Sequence, residues 1–173
     1  MRDIQTKLFK SLYTAPSSIA GTGLFTSENI KAGEPILCFG GYFVDGAQRY
    51  TGSVIPSTSI GITENIILCE LADSKKDCSD YINHSCRPNV GMFDSLTLVA
   101  IDDILAANEL LIDYAFWEGN EDYIMKQSCM CKSSNCRGKI CGWYWKTIDS
   151  ASEYFNYFSP FIKRRILSNG KKV

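Results

Sequence analysis

Apolar residues fall in short blocks through the middle of the chain: Pro35–Phe39, Tyr42–Val44, Asn65–Leu71, Leu96–Ile101 and Glu109–Phe116. Blocks of this length, rich in Ile, Leu, Val and aromatic residues and bounded by turn chemistry, predict β-strands. The turns are explicit at Lys31-Ala-Gly33, Phe39-Gly-Gly41, Asp45-Gly46 and Arg87-Pro-Asn89, residue types that supply left-handed backbone or fix φ. No helical segments alternate with these strands, which argues against a doubly wound α/β sheet and for a mainly β core. From Ser150 the period changes. Tyr154, Phe155, Phe158, Phe161 and Ile162 recur at helical spacing, and Ser159-Pro160 offers an N-cap followed by a first-turn proline. This segment is predicted to form a C-terminal helical brace on the sheet, with the aromatic stripe serving packing.

At 173 residues the chain suffices for one well-cored domain and not for two. Lys and Arg number 18 against 19 Asp and Glu, so no global field points to nucleic acid or a membrane as a partner. The best local basic patch is the acid-free set Lys163, Arg164, Arg165, Lys171 and Lys172, read as a solvated helix face and tail. The N-terminus lacks an apolar leader and no run of 18 apolar residues occurs, which predicts an intracellular protein. In a reducing compartment the eight cysteines are left for metal binding or burial rather than disulfides.

Clustering favours metal. Cys129, Cys131 and Cys136 stand together in CMCKSSNCRG, far denser than packing requires, and three thiolates hold Zn²⁺ well once a fourth ligand completes the tetrahedron. Iron–sulfur clusters use other spacings. Spacing alone leaves the fourth ligand open between Cys141, which would close a local knuckle, and the distant Cys86. His84, the one histidine, is two residues from Cys86 within DYINHSCRPN. A nucleophilic Cys–His dyad is not expected there, because side chains i and i+2 on an extended strand stand roughly 7 Å apart.

Five motifs occur in order: Gly21-Thr-Gly23-Leu24-Phe25, Lys31-Ala-Gly-Glu34, Asn83-His84-Ser85-Cys86-Arg87-Pro88-Asn89, Glu109-Leu-Leu-Ile-Asp113-Tyr114 and Cys129-x-Cys131-x4-Cys136-Arg137-Gly138. Together, from about residue 19 to 140, they resemble the SET-domain protein lysine methyltransferases that carry a cysteine-rich post-SET segment. The resemblance implies a β-clip fold of several small sheets with a pseudoknot. It divides the chain into a SET domain (1–128), a post-SET zinc segment (129–141) and a C-terminal helical extension (142–173). It also implies S-adenosylmethionine as methyl donor, bound by Gly21, Thr22, Gly23, Leu24, Asn83, His84 and Tyr114, and a protein lysine, in a histone or another protein, as acceptor. Tyr114 takes the catalytic position, and the zinc set becomes Cys86, Cys129, Cys131 and Cys136, which selects Cys86 over Cys141. A silent SET-like module that binds a protein or peptide is the competing expectation, disfavoured by the joint presence of Asn83, His84 and Tyr114.

On a strand, Leu110, Ile112 and Tyr114 share one face and Asp113 the other, so Asp113 reads as structural. Tyr81, Ile112, Phe116 and Trp117 are expected channel walls. Ile112 stands where the family usually has Phe or Tyr, which predicts room for a di- or trimethylated product. Cys141 stands where some relatives carry an aromatic over the cofactor, a cover that Trp143 or Trp145 is expected to supply.

Overall fold

The computed structural model describes residues 3–170. Among these residues the chain forms eleven short strands and one α-helix. The strands are β1 (Lys7–Leu8), β2 (Leu12–Pro16), β3 (Thr22–Thr26), β4 (Pro35–Cys38), β5 (Tyr42–Asp45), β6 (Ile60–Gly61), β7 (Ile66–Cys69), β8 (Asn83–His84), β9 (Val90–Met92), β10 (Thr97–Ala100) and β11 (Leu111–Ile112); the helix is α1 (Pro160–Asn169). They build a six-stranded sheet in the order β1-β4-β10-β9-β11-β8, a β2–β3 hairpin and a three-stranded sheet β5-β7-β6. This is the mainly β architecture of several small sheets that the sequence implied.

All five apolar blocks contain strands, and those of the central sheet are mostly buried, whereas β5, from Tyr42–Val44, is half-exposed. Ile36, Leu37, Val90, Met92, Leu98, Ala100 and Ile112 have no exposure, so both faces of the central sheet are covered. That is why the blocks do not alternate polar and apolar. β2 and β3 escape such a reading: β2 is mostly exposed and its sequence carries no apolar run.

β11 lies between β8 and β9 and runs parallel to both, with Ile112 opposite His84 on one side and Val90 on the other. The 85–89 link therefore crosses β11, the strand insertion on which the expected pseudoknot rests. It is held there by amide hydrogen bonds from Ser85 to the Ile112 carbonyl and from Asn89 to the Leu111 carbonyl, at 2.9 and 3.0 Å.

Two expectations are corrected. The strand expected over Glu109–Phe116 contracts to β11, because the Asp113 carboxylate accepts the Ala115 N–H at 3.0 Å and turns Tyr114–Phe116 into a 3-10 turn. Asp113 is thus buried beside Leu110 and Ile112, and the alternation of faces stops one residue too early to place Tyr114. The helical spacing after Ser150 yields only a 3-10 turn at Phe155–Tyr157 before α1.

α1 itself begins as its sequence demands, with Ser159 as N-cap accepting from the Ile162 N–H and Pro160 in the first turn. Phe158, Phe161, Ile162 and Ile166 enter the same core as the central sheet. The Ser159 N–H donates to the Phe116 carbonyl at 2.8 Å and Phe158 meets Phe116 edge-on at 4.8 Å, so the C-terminal segment braces the Tyr114–Phe116 turn from behind. Arg165 is committed to the fold, donating to the Gly119 carbonyl and lying over Trp145 at 4.8 Å. Lys171 and Lys172, the rest of the expected basic patch, lie outside the described residues. Among the described residues no helix is long and apolar enough to cross a membrane.

Candidate active site

Tyr114 is fixed from three sides. Its backbone N–H donates to His84 Nδ1 at 3.2 Å, its hydroxyl donates to the Ile82 carbonyl at 3.0 Å, and its ring stacks on Trp117 with centroids 5.8 Å apart. Burial raises the phenol above its ordinary range, so Tyr114 is a neutral hydroxyl at physiological pH. Phe39 meets the far side of Trp117 edge-on at 5.6 Å. Phe39, Tyr114 and Trp117 form an aromatic wall of a cleft of about 580 Å³, which Asn83, His84 and Ile82 also line. A buried ion pair, Arg49 Nη1 to Glu118 Oε2 at 2.6 Å, stands in the same cleft.

The glycine turn is joined to Asn83 through Glu109. Asn83 Nδ2 donates to Glu109 Oε1 at 2.8 Å and to the Ala20 carbonyl at 3.0 Å, while Ser17 Oγ donates to Glu109 Oε2 at 2.9 Å. Gly21 adopts φ +51° in open surroundings, the left-handed conformation the turn into β3 requires. Gly23 is needed for a different reason. A Cβ built there would overlap the Glu109 carboxylate, so the missing side chain makes room for the carboxylate that holds Asn83. Gly23→Ala is expected to destabilise the fold by about 1–3 kcal/mol, the usual effect of overpacking, as a lowered midpoint in thermal unfolding; an unchanged midpoint would mean that Glu109 moves aside freely.

The sulfur atoms of Cys86, Cys129, Cys131 and Cys136 all lie within 4.8 Å of one another. A tetrahedral zinc with bonds of about 2.3 Å needs sulfur separations of roughly 3.8 Å, and the four thiols, none farther than 4.8 Å from another, fit such an ion. Burial pushes the Cys86 thiol up to about 11. Burial also acts to raise Cys131, but amide N–H groups of Cys86 and Ser133 and the neighbouring thiols bring it down to about 6. Cys141 is buried elsewhere, bridged to Ile124.

A model of the SET domain matches residues 21–115, more than half of the chain. The chain belongs to the SET-domain family. It is 35% identical over 145 residues to the putative histone-lysine N-methyltransferase 1 of Plasmodium falciparum. It is 32% identical over 142 residues to an H3 lysine-4 specific histone-lysine N-methyltransferase of Cryptococcus neoformans. Each alignment covers 75% of this chain but only 2% and 10% of those proteins, so the chain spans a small part of the relatives it resembles. Among solved structures, KRYPTONITE in complex with mCHH DNA, an H3(1–15) peptide and SAH is similar at a TM-score of 0.59, with 24% identity, over 78% of this chain and 30% of that one. That likeness is one of fold.

The SET-domain match ends one residue past Tyr114, and the cysteine segment that folds back on its NHSC motif lies beyond it. Several residue-level expectations change in this frame. The structure brings His84 Nε2 to 3.4 Å from Cys86 Sγ, not roughly 7 Å, because β8 ends at His84 and the chain turns. The contact is still no catalytic dyad: Nδ1 already accepts from Tyr114, which leaves Nε2 as the N–H side facing sulfur. Burial lowers the His84 pKa to about 4, so the ring is neutral. Both nitrogens thus face internal partners, and His84 meets the cleft without a free imidazole nitrogen. Leu24 is fully buried in the core, and Gly21, Thr22 and Gly23 stand beside the cleft without lining it.

Of the expected channel walls, only Trp117 lines the cleft. Ile112 and Phe116 are buried, and Tyr81 does not line the cleft and has Lys76 Nζ 5.5 Å from its ring centroid. Trp143 and Trp145 do not line it either; Tyr123, Ile124 and Met125 form the outer wall. Phe39, Arg49 and Glu118 were not singled out by sequence. Phe39 sits at the end of an apolar block and gave no sign of facing a cavity, and the Arg49–Glu118 pairing spans 69 residues.

Proposed function

We propose that this chain is a protein lysine N-methyltransferase that uses S-adenosylmethionine, with a histone lysine as the first acceptor to test. The observation that carries the reading is the placement of Tyr114 in the aromatic wall of a cleft that Asn83, His84 and Cys129 of the four-cysteine cluster also line. The named activities of the similar proteins support it. S-adenosylmethionine, when bound, supplies an electrophilic methyl group on a sulfonium.

The chain's own residues then have three tasks. Phe39 and Trp117 offer flat apolar surface to the lysine stem and exclude water from its end. At pH 7 only about one free lysine in 2,500 is neutral, and desolvation against this wall favours the neutral amine that attacks. The Tyr114 hydroxyl, which donates its hydrogen bond to the Ile82 carbonyl, keeps its lone pairs for the amine N–H or the polarised methyl. Gly21, Gly23 and Asn83 hold the donor side through the Glu109 network. The four thiolates would hold one structural zinc that fixes residues 129–138 against β8. We assign residues 1–128, 129–141 and 142–173 to catalytic domain, zinc segment and brace.

Labelled S-adenosylmethionine incubated with core histones is expected to label a histone lysine, identified by mass spectrometry. The same spectra read the number of methyl groups, which Ile112 was expected to set at two or three. Donor binding by calorimetry without transfer to any histone or lysate protein would instead favour the silent module, and absence of binding would overturn both readings.

A further inference from the structure

Asp113 is buried and charged, and the element that neutralises it comes from the cysteine segment. Arg137 Nη2 donates to Asp113 Oδ1 at 2.6 Å and Arg137 Nη1 to Oδ2 at 2.7 Å, a bidentate fork that a lysine cannot reproduce. The other face of the guanidinium lies 3.8 Å from the Tyr144 ring centroid. The root of the side chain is anchored equally firmly. The Arg137 N–H donates to Cys86 Sγ at 3.3 Å and the following Gly138 N–H to Cys136 Sγ at 3.4 Å.

At its other end the fork acts on the turn that carries Tyr114. Asp113 Oδ1 caps that turn by accepting the Ala115 N–H at 3.0 Å and lies 3.7 Å from His84 Nδ1, the atom that accepts the Tyr114 N–H. Without Arg137 the carboxylate would remain buried with no counter-charge, a costly arrangement, or swing to water and release the cap. Either change reaches the Tyr114 backbone. Neither Arg137 nor Asp113 lines the cleft, so neither touches a bound substrate.

From this geometry we infer that Arg137 is a positioning residue, which transmits the order of the cysteine cluster through Asp113 to the orientation of Tyr114. The inference rests on the proposed methyl transfer for its kinetic consequence but not for its structural one. It gives the arginine of the Cys-Arg-Gly sequence a task distinct from zinc binding, since the thiolates supply a complete ligand set without it.

The test compares Arg137→Ala and Arg137→Lys with wild type, alone and combined with Tyr114→Phe. Arg137→Ala is expected to lower kcat about 10- to 100-fold, the range for outer partners of an active site, with one zinc per chain retained by elemental analysis. Arg137→Lys should recover only part of that loss. In the Tyr114→Phe background the same change should cost less than about twofold, because a residue acting through Tyr114 has nothing left to act on. Incorporated 3-fluorotyrosine gives a reading independent of turnover: the Tyr114 fluorine signal, assigned by its disappearance in Tyr114→Phe, should shift or broaden in Arg137→Ala. Equal losses in both backgrounds, loss of zinc along with activity, or an unmoved fluorine signal would each overturn the inference. A wild-type protein that transfers no methyl group at all would remove the proposed function and leave the fluorine signal to decide the role of Arg137.

Discussion

Tyr114→Phe is expected to lower methyl transfer about 100-fold or more while leaving S-adenosylmethionine binding and the fold in place. The substitution is narrow. Phe keeps the ring that stacks on Trp117 and sits 5.2 Å from the His84 ring, and it keeps the backbone N–H that His84 accepts. What disappears is one oxygen, 3.0 Å from the Ile82 carbonyl. Because burial keeps the phenol protonated, that oxygen serves as an oriented neutral dipole and not as a base. A fixed dipole at the point of charge redistribution commonly contributes 10²–10³ in rate. The stability change should be only about 1 kcal/mol, for one lost hydrogen bond and a carbonyl left unpaired. Steady-state rates, with donor affinity measured separately by calorimetry, check this directly. A Phe variant that turns over at the wild-type rate would remove Tyr114 from catalysis.

The parts of this site that sequence made legible are those written as local residue types at fixed spacing. Cys129, Cys131 and Cys136 announced a cluster of thiols, Ser159-Pro160 announced the start of α1, and the order of the NHSC and ELLIDY motifs placed Asn83 and Tyr114 together. The apolar blocks announced the central sheet because its strands are buried on both faces. What stayed hidden depended on where the chain bends. The strand rule that separated His84 from Cys86 failed because β8 ends at His84, and the alternation that put Tyr114 on one face with Ile112 stopped because Asp113 turns the chain right after β11. The exposed β2 has no apolar pattern to read, and β3 buries Leu24 and Thr26 without an apolar run to announce it. Long-range polar pairs were hidden as well: Asp113–Arg137 and Asn83–Glu109 join residues 24 and 26 positions apart. Each partner was visible inside a motif, but the pairing exists only once β11 has inserted between β8 and β9.

Cys86→Ser should have the largest structural effect, because one sulfur belongs to two systems. On one side it stands with Cys129, Cys131 and Cys136 in the cluster of four; on the other it contacts His84 Nε2 at 3.4 Å and accepts the Arg137 N–H at 3.3 Å. A serine hydroxyl is a poorer zinc ligand than a thiolate and is shorter, so both sets of contacts weaken together. Zinc content is expected to fall from one per chain toward zero, and with it the binding energy that a structural zinc adds to folding. Residues 129–138 then lose their tie to β8. Asn83, two residues before His84's neighbour Ser85, loses the register that presents it to Glu109, and donor affinity should drop about 10-fold or more. Cys141→Ser is the control: Cys141 lies outside the cluster, and its variant should keep one zinc and ordinary donor affinity. Elemental analysis and calorimetry on the two variants decide the matter. Zinc retained in Cys86→Ser and lost in Cys141→Ser would make the cysteine segment a self-contained knuckle and break the proposed link between metal and cleft.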